Sequence, residues 1–272
     1  MNSLTYIEQI NALKNDGFTI SATKEQQVIK ILQRIGYSRL KQYAFQQSNT
    51  DILGIYDVYE FDRQLRLLLL EYLEKVEILM RTTIIHHHSQ KYGLFGYLHA
   101  DYHTNLTWHT DFINNLHRTL KRENETNLLI KLNRNELPIT DSIEFFTFGM
   151  LSKFFNNMKT SDKKIINREF FGENSRLIQS WLQCLTHLRN KCAHYDRLYN
   201  RRFSQIPHNY HGSEFWNTVF DYILVLKLML NDHSDWHGFV LKTENLIRIY
   251  RKSIDLSCLG FPENWNKLLI AN

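Results

Sequence analysis

The stretch that most constrains this fold is residues 55–90. Phe61, Leu65, Leu68, Leu69, Tyr72, Leu73, Val76 and Met80 recur at spacings of three and four. That spacing places them on one stripe of a single long helix. Glu71, Glu74, Lys75 and Glu77 fall mostly on the other side. The remainder of the chain supplies helices to cover that stripe. Only three prolines and ten glycines punctuate 272 residues, and alternating runs of strand character are scarce. The expectation is an all-α helical bundle forming one domain, with an N-terminal helical part over about residues 1–135 and a second part over about 136–272 that carries the motif described below.

Around the long helix the pattern predicts two or three short helices over 5–47, with Gly36 as a break. Residues 93–110 are irregular, aromatic and rich in histidine. More helix is expected to about residue 133. Pro138 opens an apolar helix with Gly149 in its middle, and a basic connector with a short helix follows. A further helix is expected over about 175–196, then two near 213–231 and 239–252.

Composition narrows the function classes. An apolar share of 43% supports a real core, and a formal charge of +5 favours an anionic partner. Three cysteines without a CxxC pair argue against a disulfide scaffold and for a reducing compartment. The N-terminus has no apolar core of a signal peptide. The most apolar run, "FDYILVLKLML", is too short to span a bilayer and contains Lys227. A cytoplasmic protein that avoids membranes is expected.

The chemistry concentrates in "HLRNKCAHYDRLYNRR", residues 187–202. On a wheel of roughly 100° per residue, Leu177, Trp181, Leu185, Leu188 and Cys192 form the core seam. His187, Asn190 and His194 lie opposite, and Arg189 lies on the flank. Asn190 and His194 are helix neighbours, whereas Arg189 and His194 are roughly 140° apart. A second copy of the helix across a symmetry axis would complete such a site. Histidine exchanges protons near neutral pH, and arginine grips phosphate oxygens. With the 2′-hydroxyl of RNA as built-in nucleophile, that set suits phosphodiester cleavage without a metal, Arg stabilising the charge on phosphorus. Arg197, Arg201 and Arg202 could follow the flanking RNA backbone. The plain alternative is a solvated face with arginines complementing the helix dipole.

"LRNKCAHYDRLYNR" resembles the R-N-x-x-x-H signature of the HEPN superfamily, in the form carried by AbiD/AbiF-like abortive-infection proteins. Tyr199 stands where that family's pattern has Trp. Three more segments look like the family's in the same order: "LQRIGYSRLKQYAF", "IYDVYEFDRQLRLLLLEYLEKVEILMR" and "FFTFGMLSKFFNNM". The likeness covers about residues 25–205. It implies a HEPN-like bundle with added terminal helices and a metal-independent endoribonuclease whose site forms where two HEPN units meet. Arg189 and His194 would be the catalytic pair and Asn190 their polar partner, leaving 2′,3′-cyclic phosphate and 5′-hydroxyl ends. It also implies a homodimer, a role in defence against phage, and restraint by a small RNA or a protein antitoxin. No cofactor is expected.

"RTTIIH" repeats the spacing with Arg81 and His86, though Thr82 stands where a polar partner belongs and Glu77 offers Arg81 an ordinary ion pair. His87 lies on the apolar stripe and is expected to be a satisfied core histidine. Consecutive His86, His87 and His88 point in different directions, and His99 with His103 lacks an HExxH partner, so no metal is expected. Cys184 and Cys192 read as structural. Two rival readings stand beside the nuclease: a non-catalytic RNA-binding module, and a protein-interaction component of a defence system.

Overall fold

The computed structural model describes residues 4–44, 51–208, 216–230 and 232–270. Its helices are α1 (Tyr6–Asn15), α2 (Glu25–Ile35), α3 (Tyr37–Ala44), α4 (Ile52–Tyr92), α5 (Leu106–Arg122), α6 (Thr126–Asn133), α7 (Ile139–Ser142), α8 (Phe148–Asn157), α9 (Thr160–Ile166), α10 (Ser175–Ala193), α11 (Val219–Leu230), α12 (His233–Tyr250) and α13 (Trp265–Ile270). Among the described residues there is no strand, and β-pairing is limited to the isolated bridges Thr19–Asp51 and His103–Met158. The fold is all-α, and no described helix is long and apolar enough to cross a membrane.

Local chemistry sets the boundaries. Gly36, at φ 76°, ends α2 in a conformation that favours glycine and turns the chain into α3. The apolar helix expected after Pro138 is broken instead. A 3₁₀ turn over Ile143–Phe145 follows α7. Thr147 then caps α8, its hydroxyl accepting from the Met150 amide at 3.2 Å. Gly149 therefore sits in the first turn of α8. Part of the helix expected over 213–231 lies outside the described residues; α11 begins at Val219, where Asp221 accepts from the Thr218 amide at 2.7 Å.

The chain divides into two compact units whose segments alternate along the sequence. The first comprises residues up to Leu69, Lys191–Arg202 and His237 onward; the second comprises Leu70–Asn190 and Phe203–Trp236. The second unit thus holds residues on both sides of position 135.

In the first unit, α4 buries Ile55, Val58, Phe61 and Leu65. Phe61 packs edge-on against Tyr199 and Tyr250. The chain after α12 is tied back by two hydrogen bonds: Ser253 donates to Asp57 at 2.9 Å, and the Asp255 amide donates to the Tyr199 hydroxyl at 2.7 Å.

In the second unit the core is aromatic. Phe112 of α5 lies 4.8 Å from Phe146 and 5.1 Å from Phe154, ring to ring. Trp181, Leu182, Leu185 and Leu188 of α10 are fully buried, and α11 is buried along almost its whole length. The Trp181 indole donates to the His208 carbonyl at 3.1 Å. Cys184 and Cys192 are buried, one in each unit, and burial raises both thiols, Cys184 to about 11. Neither has the electropositive, exposed setting of a reactive thiol.

Candidate functional site

The second unit brings together the arginines of both sequence motifs. Glu77 and Arg81 are four residues apart on α4, and Arg81 Nη2 donates to Glu77 Oε1 at 2.9 Å. The other oxygen of Glu77 lies 3.7 Å from Arg189 Nε. Glu77, 13% exposed at its side chain, is thus a carboxylate shared by two guanidinium groups. Arg81 also donates to the Phe146 carbonyl at 2.9 Å and to Glu144 at 3.4 Å. Its two terminal nitrogens are thus committed to the protein, while its buried Nε has no hydrogen-bond partner among the described residues.

Arg189 is held more loosely. It lies near the end of α10, half-buried, and its Nη1 donates to Asn190 Oδ1 at 3.2 Å. Its approach to Glu77 is an ion pair without a hydrogen bond. Asn190 is exposed. The pair presents charged and polar donors at the surface, the arrangement in which an oxyanion can replace a weakly held carboxylate. His86 is exposed on α4.

His194 belongs to the first unit, where it is the first residue after α10. Helical spacing predicts helix to 196, but the chain leaves it here: Tyr195 takes φ 60° and its amide donates to the Cys192 carbonyl. His194 is exposed, and its ring makes no hydrogen bond among the described residues. The turn that carries it is firmly anchored. Arg39 donates to the Tyr195 carbonyl at 2.9 Å. Asp62, wholly buried, accepts from the Tyr199 amide at 2.8 Å, the Leu198 amide at 3.2 Å and the Tyr43 hydroxyl at 2.6 Å. Arg66 completes the network, pairing with Asp62 and donating to the Asp196 carbonyl at 3.3 Å. Burial pushes the Asp62 carboxyl upward against the pull of Arg66 and these hydrogen bonds.

Of the basic residues that follow, Arg197 donates to the Gln42 carbonyl and lies over the Tyr43 ring at 5.9 Å. Burial and the neighbouring Arg201 charge lower its pKa. Arg201 and Arg202 are exposed. Asp62 and Arg66 do not stand out in the sequence as site-building residues. Their one signal is the spacing of two opposite charges at i and i+4 on a buried face.

On α4 the buried histidine is His88 and not His87, which corrects the expectation from the apolar stripe. The His88 ring is fully buried with neither nitrogen hydrogen-bonded, whereas His87 keeps 11% side-chain exposure and lies 3.8 Å from Asp162. His88 stacks on His103 at 5.9 Å, and His103 lies 4.7 Å from His109. Burial, then His103, lowers His88 to about 3; burial, then His109, lowers His103 to about 4. Among the described residues no three His, Cys, Asp or Glu side chains are placed to hold one ion.

No curated protein and no solved structure matches the chain. Residues 30–200, more than half of the sequence, match a family described as Abi-like protein. That span takes in the Asp62–Arg66 network, the shared Glu77 carboxylate and the Arg189–His194 stretch. The chain therefore belongs to the Abi-like protein family, a family of abortive-infection proteins.

Proposed function

We propose that this protein is a HEPN-type, AbiD/AbiF-like endoribonuclease of phage defence, cytoplasmic, free of metal and cofactor, and active as a homodimer restrained by an RNA or protein antitoxin. The observation that carries the reading is the half-buried Arg189 joined at 3.2 Å to the exposed Asn190 near the end of α10, with an exposed imidazole four residues beyond Asn190. Arg189 binds the scissile phosphate and stabilises the charge that develops on it. Asn190 orients the guanidinium. His194 takes the proton of the 2′-hydroxyl, whose oxygen bonds to phosphorus as the P–O5′ bond breaks, and the leaving 5′-oxygen takes a proton from water. The products are a 2′,3′-cyclic phosphate and a 5′-hydroxyl. Arg81 acts as a positioning residue, because its donors hold Glu77, Glu144 and the Phe146 carbonyl. Arg201 and Arg202, both exposed, bind the flanking RNA backbone; Arg197 contributes mainly by fixing the turn.

The test is cleavage of single-stranded RNA by purified protein in EDTA, with end-group mapping. Cleavage should persist, and Arg189→Ala and His194→Ala should each lower it by about 10²- to 10⁴-fold with unchanged thermal unfolding. Loss of cleavage on chelation, or 5′-phosphate ends, sinks the mechanism. Salt-sensitive RNA binding without turnover selects the non-catalytic RNA-binding module. No RNA binding at low salt selects the protein-interaction reading.

A further inference from the structure

The second unit contains a cavity of about 550 Å³ with an unusual lining. Arg176, Gln179 and Gln183, on one face of α10, line it together with Trp108 of α5 and Asn156 of α8. An adjoining cavity of about 290 Å³ shares Trp108, Asn156 and Gln183 and adds Lys153 and Asp111. The shared Trp108, Asn156 and Gln183 make the two one groove, to which the first cavity contributes Arg176 and the second Lys153.

Three features say what the groove is shaped for. Trp108 is 53% exposed, and among the described residues no ring stacks on it. The side chains of Arg176, Gln179 and Gln183 make no hydrogen bond or ion pair among the described residues. The side-chain oxygen of Asn156, buried, is likewise without a partner. An aromatic platform faced by unused amides offers stacking together with paired donors and acceptors, which is what the edge of a nucleobase presents. Arg176 and Lys153 are placed for phosphates on either side, and Asp111 can accept from an exocyclic amino group.

Position adds to chemistry. Gln183 and Asn190 are seven residues apart on α10, so they share one face at a separation of about 10 Å. A strand whose phosphate lies at Arg189 would carry a nearby base toward Trp108. We infer that this groove is a nucleobase subsite that stacks one base of a single-stranded RNA on Trp108 and reads its edge with Gln179, Gln183 and Asn156. The inference rests on the RNA-directed reading above and not on its cleavage chemistry.

The test uses the full chain and labelled, fully 2′-O-methylated heptanucleotides of A, C and U, which cannot be cut through the 2′-oxygen. Binding is followed by fluorescence anisotropy at two salt concentrations. Trp108→Ala should weaken binding about tenfold and Trp108→Phe should retain most of it, as stacking requires. Gln183→Ala should alter the ranking of the three sequences. Arg176→Gln and Lys153→Gln should each flatten the salt dependence by about one phosphate's worth. Wild-type affinity and ranking in both Trp108→Ala and Gln183→Ala overturn the inference. Competition by mononucleotides equal to that by heptamers assigns the groove to a free nucleotide and overturns the RNA assignment. If wild-type protein cuts no RNA yet binds it through Trp108, the nuclease reading fails and the subsite stands.

Discussion

Two ion pairs on α4 have the same local geometry and opposite characters. Asp62–Arg66 and Glu77–Arg81 are both carboxylate and guanidinium at i and i+4. The first is buried, with side-chain exposures of 0% and 3%; the second is half-buried, at 13% and 22%. At Asp62 every lone-pair direction meets a donor from its own unit: Arg66, Tyr43 and two backbone amides. At Glu77 one oxygen meets Arg81, and the other faces Arg189 at 3.7 Å without a hydrogen bond. Helical spacing alone builds the same pair twice. Saturation makes the first an anchor, and incompleteness leaves the second a place where an anion can enter.

The sharpest way to break this contrast is Asp62→Ala. It strands the buried Arg66 charge and two amides, so it should cost about 3–5 kcal/mol in urea unfolding. A cost under about 1 kcal/mol would mean the network is not an anchor.

Acid separates anchored from unanchored polarity at a third station on α4. His88 is buried without a hydrogen bond, and its pKa falls from 6.5 to about 3 on folding. Between those values the unfolded chain binds the extra proton, so stability falls as pH falls. At pH 5 the loss from this one ring is about 2 kcal/mol relative to neutral pH. His88→Leu should remove that part of the acid sensitivity in melts between pH 7.5 and 5; an unchanged slope would refute the assignment.

Glu77→Gln probes the incomplete pair. Its stability cost should be about 1–2 kcal/mol, because the half-buried pair loses its charge while the Gln oxygen can still accept from Arg81. RNA affinity at low salt should rise, since a competing carboxylate leaves Arg189; an unchanged or weaker affinity would count against Arg189 as the phosphate ligand. Smallest of all, Glu144→Ala touches Arg81 only at 3.4 Å from a side chain 71% exposed, and should shift stability by about 0.2–0.5 kcal/mol in the same urea titration.

Much of the fold can be read from spacing. Stripes at three and four residues locate α4 to within three residues at its start and two at its end, and of the five residues expected on the α10 seam Trp181, Leu185, Leu188 and Cys192 are buried while Leu177 is only partly so. Errors arise where tertiary contact overrides period. The stripe on α4 points to His87, yet the chain after Gly93 folds over His88. Gly96 packs so closely there that an added Cβ would lie 3.3 Å from the His88 ring. The Thr147 cap, a purely local signal, splits an apolar run that hydropathy reads as continuous. At the candidate site, the Arg189–Asn190 contact follows from adjacency on one helix. The coupling of Arg189 to Glu77 joins residues 112 positions apart in the sequence, and no local pattern announces it.

The grip of Asp62 on Leu198 and Tyr199 falls on their main-chain nitrogens. Such a clasp is blind to which side chains occupy those two positions but sensitive to how many residues precede them. Substitution along the turn after His194 can therefore be tolerated, while inserting or deleting a single residue there would slip the chain past its clasp and carry the imidazole away with it.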